Sequence, residues 1–112
     1  MRKLVVPAIV AGLFLAAVAP ALAATKRLTV GDNFFVRDGG VPKVTVDRGT
    51  KVKWVWKGHS AHNVKVARGP VKFGSSTMRS GSFTKRVSKP GTYTIVCTIH
   101  GPADQSMKLV VR

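Results

Sequence analysis

Acidic side chains are almost missing from this chain. Against 19 Lys plus Arg there are 4 acidic residues in 112, a formal charge of +15. The four acids, Asp32, Asp38, Asp47 and Asp104, are scattered over loop-like stretches. They offer no paired carboxylates for general acid–base work, and no general base stands beside a nucleophile, so catalysis on a bound substrate is not expected. Cysteine is nearly absent too. The single Cys97 excludes an intramolecular disulfide and a four-cysteine zinc framework. Helical periodicity is lacking after residue 23, where no window of a dozen residues keeps apolar groups at helical spacing. The length excludes a large multidomain enzyme, and 45% apolar residues exclude a disordered basic tail, which could not bury enough surface to offset chain entropy.

Residues 1–23 read MRKLVVPAIVAGLFLAAVAPALA, with Arg2 and Lys3 ahead of an apolar run and Ala21-Leu22-Ala23 at its end. That is the pattern of a secretory signal peptide. The uncharged stretch is also long enough to act as an N-terminal anchor, but Pro7, Pro20 and the small-residue end fit cleavage better. No cysteine follows it, so lipid attachment there is excluded. Residues 24–112 are then expected to form one exported domain, in the periplasm, cell envelope or extracellular space, with no membrane span once the signal is removed. Only two of the nineteen cations lie in the signal, so the excess charge survives processing. A domain of this size often needs a disulfide or a metal to be robust. With no disulfide available, a metal is the remaining staple, and a free thiol in an oxidising compartment needs an explanation.

Residues 24–112 alternate with period two and read as an all-β domain. Expected strands are Lys26 to Val30, Phe34 to Val36, Lys43 to Asp47, Lys51 to Trp56, Asn63 to Val66, Ser82 to Val87, Thr92 to Cys97 and Met107 to Val111. Asp47-Arg48-Gly49-Thr50 reads as a hairpin turn, Lys89-Pro90-Gly91 as a type II turn, and Asp38-Gly39-Gly40 as a third turn. Parity turns Val52, Trp54 and Trp56 to the core, as it does Tyr93, Ile95 and Cys97, and Met107, Leu109 and Val111. Seven or eight short strands joined by turns suggest a two-sheet sandwich. Gly69 to Arg79 carries no clear element.

The sharpest local signal is Tyr93-Thr94-Ile95-Val96-Cys97-Thr98-Ile99-His100, a strand ending in Cys-x2-His. Alone it reads as a buried thiol beside a loop imidazole. With His62 upstream, and Gln105 and Met107 just downstream, the chain offers one thiolate, two imidazoles and a weak fourth donor, the set that suits an electron-transferring copper ion. His59, in Lys57-Gly58-His59-Ser60-Ala61, reads as a surface-loop residue, and Met78 as packing.

In this order the motifs Val44-Thr45-Val46-Asp47-Arg48-Gly49-Thr50-Lys51-Val52-Lys53-Trp54, His62-Asn63-Val64, Ser82-Phe83, Pro90-Gly91-Thr92-Tyr93 and Cys97-Thr98-Ile99-His100 resemble the small blue copper proteins, the plastocyanin, amicyanin and pseudoazurin group of the cupredoxins. The resemblance covers nearly all of residues 24–112 and implies a Greek-key β-sandwich holding one type 1 copper ion. It implies His62, Cys97 and His100 as ligands, with Asn63 and Thr98 behind them, tying the upstream ligand loop to the segment after the cysteine. His62 should sit deep, and His100 should show an edge to solvent as the electron port. The fourth ligand departs from the family's usual spacing. Four intervening residues after His100, the family's usual spacing, place Gln105 there, whereas Met107 is the more usual donor type, so both stay open. Trp56 stands where the family often has a polar residue.

The function implied is one-electron carriage between redox partners, by a monomer. A cell-envelope copper chaperone or storage module would use the same ligands, and a metal-free basic module would hold anionic polymers. Acidic redox proteins are the expected partners, drawn by Lys26, Arg27, Lys43, Arg48, Lys51, Lys53, Lys57 and Lys65. Nucleic acid is not expected, because export removes it and parity places the aromatics that could stack in the core.

Overall fold

The computed structural model describes residues 24–112, so the expected signal peptide lies outside the described residues. Seven strands run in order: β1 (Thr25–Val30), β2 (Lys43–Val46), β3 (Thr50–Trp56), β4 (Lys65–Arg68), β5 (Ser82–Val87), β6 (Gly91–Val96) and β7 (Ser106–Val111). They form a three-stranded sheet ordered β1-β3-β5 and a four-stranded sheet ordered β2-β7-β6-β4. No helix occurs among the described residues, and so none is long and apolar enough to cross a membrane.

The two sheets close on one core because each strand turns its apolar parity the same way. Val52, Trp54 and Trp56 of β3 are buried, as are Tyr93 and Ile95 of β6 and Met107, Leu109 and Val111 of β7. Phe35 fills the same cluster from a loop. Trp54 packs against Phe83 and Phe73, with ring centroids 5.8 and 6.1 Å apart, and Phe73 reaches Tyr93 at 5.9 Å. These tilted pairs add to area burial because ring edges meet ring faces. The Tyr93 hydroxyl donates to the Lys89 carbonyl at 2.7 Å, and burial pushes its pKa up.

Three local expectations are corrected. Asp47 to Thr50 does turn, with Thr50 N donating to Asp47 O at 3.1 Å and Gly49 at φ +90°, but it is no hairpin. β2 and β3 lie in different sheets, so the turn carries the chain across the sandwich. Phe34 to Val36 is not a strand. Gly31 N donates to the Phe34 carbonyl at 2.8 Å, only Phe35 bridges Val30, and Val36 stands at φ +71°. For a β-branched residue that left-handed backbone costs of order 1–3 kcal/mol, so its surroundings must impose it. The strand expected over Asn63 to Val66 starts two residues later, because β4 runs Lys65–Arg68, and His62 before it makes only an isolated bridge with Met78.

Two strand ends place the chemistry. β6 stops at Val96, leaving Cys97 as the first residue beyond it, still on the inward parity set by Tyr93 and Ile95. β6 and β7 pair antiparallel with Val96 opposite Ser106 and Ile95 opposite Met107. The next step in that register sets Cys97 beside Gln105, and Cys97 N donates to the Gln105 carbonyl at 3.1 Å.

Candidate metal centre

The loop from Cys97 to Gln105 is wound tightly. Gly101 N donates to the Cys97 carbonyl at 2.9 Å, Gln105 N donates to the Gly101 carbonyl at 3.0 Å, and Gly101 takes φ +84°. This winding folds His100 back onto Cys97, with Sγ to His100 Nδ1 at 3.5 Å. From the segment between β3 and β4, His62 brings its Nδ1 to 4.0 Å from the same sulfur. His62 Nδ1, Cys97 Sγ and His100 Nδ1 thus converge, with all donor atoms within 4.8 Å of one another. A sulfur about 2.3 Å and a nitrogen about 2.0 Å from one first-row ion, in a trigonal arrangement, would lie roughly 3.7 Å apart. The two measured separations bracket that value, so these residues fit a single ion with one soft and two borderline donors.

His62 is held from every side. Its N–H donates to the Met78 carbonyl at 2.9 Å, and its carbonyl accepts from Met78 N at 2.9 Å and from Trp56 Nε1 at 3.2 Å. Trp56, standing where the family often has a polar residue, therefore braces the backbone of His62. The Asn63 side chain joins three segments: its Oδ1 accepts from Thr98 N at 2.9 Å, and its Nδ2 donates to Thr98 Oγ1 at 2.8 Å and Thr77 Oγ1 at 3.2 Å. His62 and Cys97 are 0% exposed, whereas His100 is half-buried. His59 is exposed, and Met78 packs half-buried against the core.

Gln105 and Met107 are both fully buried, but they do different things. Met107 sits one pair further along β7, opposite Ile95 in the hydrophobic cluster. Gln105 turns its Nε2 to the Gly31 and Phe34 carbonyls, each at 2.9 Å. Two carbonyl acceptors fix which end of the amide is NH2. Its Oε1 is buried with no hydrogen-bond partner in the protein, which leaves a carbonyl oxygen free to meet a cation.

One residue escaped the sequence reading, which left all four acids without a role. Asp32 Oδ1 lies 3.1 Å from His62 Nε2 and also accepts from Ser60 N at 2.9 Å and His59 N at 2.8 Å. The Ser60 N–H, the His62 ring and the His59 N–H, in that order of weight, hold the carboxyl well below the usual carboxylate range. No spacing in the sequence links positions 32 and 62.

A two-sheet sandwich with one cysteine sulfur and two imidazoles converging at one end defines a mononuclear metalloprotein whose donor set fits type 1 copper. Residues 40–112 match the model of a family described as copper binding proteins, plastocyanin/azurin family. The chain belongs to that family, and copper is its metal. Among solved structures, an oxidised mutant of amicyanin is similar, with a TM-score of 0.64 and 22% identity over 80% of this chain and 90% of that one. A second amicyanin mutant, in the Cu(I) form, gives 0.65 at 22% identity over 80% of this chain and 83% of that one. At these identities the likeness establishes the cupredoxin sandwich.

Proposed function

We propose that this chain is an exported one-electron carrier. In this reading its copper would be held by His62 Nδ1, Cys97 Sγ and His100 Nδ1, with Gln105 Oε1 as a weak fourth donor. The convergence of one buried thiol and two imidazoles within 4.8 Å carries the reading. Bound copper supplies a Cu(II)/Cu(I) couple. The chain supplies a frame that need not move: Met78 and Trp56 fix His62, Asn63 locks its loop to Thr98, and the wound loop fixes His100. A site that keeps its shape through the redox change reorganises little, and little reorganisation favours fast transfer.

Copper delivery or storage is less well supported, because handing a metal on needs donors a partner can reach, and His62 and Cys97 are sealed. Electrons would enter and leave at His100, whose neighbours Ile99 (51% exposed), Pro102 and Ala103 form an apolar rim suited to brief contact with a partner. Copper-loaded protein should give a reversible one-electron wave in voltammetry. A protein that exchanges copper readily with a chelator but shows no reversible wave would overturn the carrier reading in favour of delivery.

Acidic redox proteins are the proposed partners. On the outer face of the three-stranded sheet Arg27 stands directly beside Lys53, and Lys51 directly beside Arg86. Like charges across strands destabilise a sheet. No Lys or Arg among the described residues is paired with a carboxylate, so this field is uncompensated. Association with an acidic redox protein, followed by stopped flow, should slow about tenfold or more from low to physiological salt, and more weakly in a Lys51→Glu, Arg86→Glu variant. A salt-independent rate would remove the steering role.

A further inference from the structure

Asp32 has more contacts than a surface acid in a basic protein requires. One oxygen, Oδ1, gathers His59 N at 2.8 Å, Ser60 N at 2.9 Å, Ser60 Oγ at 3.1 Å and His62 Nε2 at 3.1 Å. It is the only carboxylate among the described residues within 4.0 Å of a cationic or imidazole nitrogen. The turn that carries it is pinned from behind. Gln105 Nε2 binds the carbonyls of Gly31 and Phe34, which flank Asp32, and Gly31 N closes onto Phe34 O at 2.8 Å.

Gly58 completes the cradle. A Cβ there would run into Asp32 Oδ1, and the residue does not adopt a left-handed φ. The missing side chain at Gly58 therefore serves the close approach of the carboxylate, not the course of the backbone.

The imidazole contact has a defined chemical sense. An ionised carboxylate only accepts, so Nε2 of His62 carries the hydrogen and Nδ1 keeps its lone pair, on the edge that faces Cys97. A carboxylate hydrogen-bonded to the far nitrogen of a metal-binding imidazole fixes its tautomer and raises its basicity.

We propose that Asp32 is a positioning residue of the copper centre, locking His62 in the Nε2–H tautomer and lending its ring negative character that favours Cu(II) over Cu(I). The proposal rests on the copper reading above. It makes Asp32, through His62, a determinant of the reduction potential, and it assigns Gly58 and Gln105 to holding the carboxylate in place.

Asp32→Asn separates this role from loop capping, because the amide oxygen can still accept from the His59 and Ser60 N–H groups while the charge is gone. The variant should keep the thiolate-to-copper band, lose about 10–100-fold in Cu(II) affinity, and shift to a higher potential by about 59 mV for each tenfold change in the Cu(II)-to-Cu(I) affinity ratio. An unmoved potential together with a Cu(II) affinity within twofold of the parent's would overturn the proposal, leaving Asp32 as a loop cap. If Asp32→Asn does not fold, Gly58→Ala displaces the carboxylate without removing its charge and should move the potential the same way; no movement there is equally fatal. Nitrogen-15 shifts of the metal-free parent should report the Nε2–H form of His62, and an Nδ1–H form would overturn the proposal. That last readout needs no copper, so it still judges Asp32 if the parent fails to form the thiolate-to-copper band and the copper reading itself falls.

Discussion

Replacing Cys97 with serine should abolish the intense visible band that the parent protein develops on titration with Cu(II). The band belongs to charge transfer from a thiolate, and the chain has one thiol. Its sulfur is 0% exposed and lies between His62 Nδ1 at 4.0 Å and His100 Nδ1 at 3.5 Å, and the chain has no second thiol to take its place. Serine is nearly the same size, but its hydroxyl is hard and stays protonated at neutral pH, which suits neither oxidation state as the thiolate does. The fold should survive. A buried hydroxyl without a partner costs about 1–3 kcal/mol, and the backbone bonds of Cys97 to Gln105 and Gly101 do not involve the sulfur. The check is visible absorption through a Cu(II) titration of both proteins, with far-UV circular dichroism confirming that the variant is folded. Saturation of the parent's band at one equivalent, and its complete loss in Cys97→Ser, is the expected pair of results. A band that persists in the variant would remove Cys97 from the site.

How much of this was legible beforehand divides along a physical line. Period-two alternation in β3, β6 and β7 is local information, and the two faces of a half-buried strand differ so sharply that Trp54, Tyr93 and Leu109 could be placed inward from the sequence alone. The spacing Cys-x2-His is also local, since the winding that brings His100 to Cys97 happens within one loop. Pairing between distant segments left no such trace. The Asp47 to Thr50 turn has the same composition whether its strands join one sheet or face each other across a core. Phe34 to Val36 has strand-like residues, but Gly31 N donates to the Phe34 carbonyl, Val36 turns left-handed, and Gln105 Nε2 holds that turn by its Gly31 and Phe34 carbonyls from far along the chain. Asp32 was invisible for the same reason, because its partner lies thirty positions away on a loop with no periodicity.

The same limit left the axial donor open between Gln105 and Met107, because the two share a strand parity and parity repeats every second residue. In the reading proposed above Gln105 is that donor, because it takes the place beside Cys97 while Met107 pairs with Ile95 inside the apolar cluster. The amide supports the same choice. Its Nε2 is fixed by two carbonyls, and a buried Oε1 without a donor costs about 1–3 kcal/mol unless something positive meets it. Gln105→Met should therefore raise the reduction potential, because exchanging an oxygen donor for a softer thioether favours Cu(I), by roughly 59 mV for each tenfold shift between the two oxidation states. The same change frees the buried Gly31 carbonyl and should lower stability by about 1–3 kcal/mol, measured by urea unfolding of the metal-free protein. Met107→Leu should leave the potential where it is and cost less than about 1.5 kcal/mol, as a near-isosteric exchange in a packed core. If the potential instead follows Met107 and ignores Gln105, the axial donor is the thioether. The sealed amide oxygen would then be a strain that the fold tolerates for the sake of the Gly31–Phe34 turn and the carboxylate that turn presents to His62.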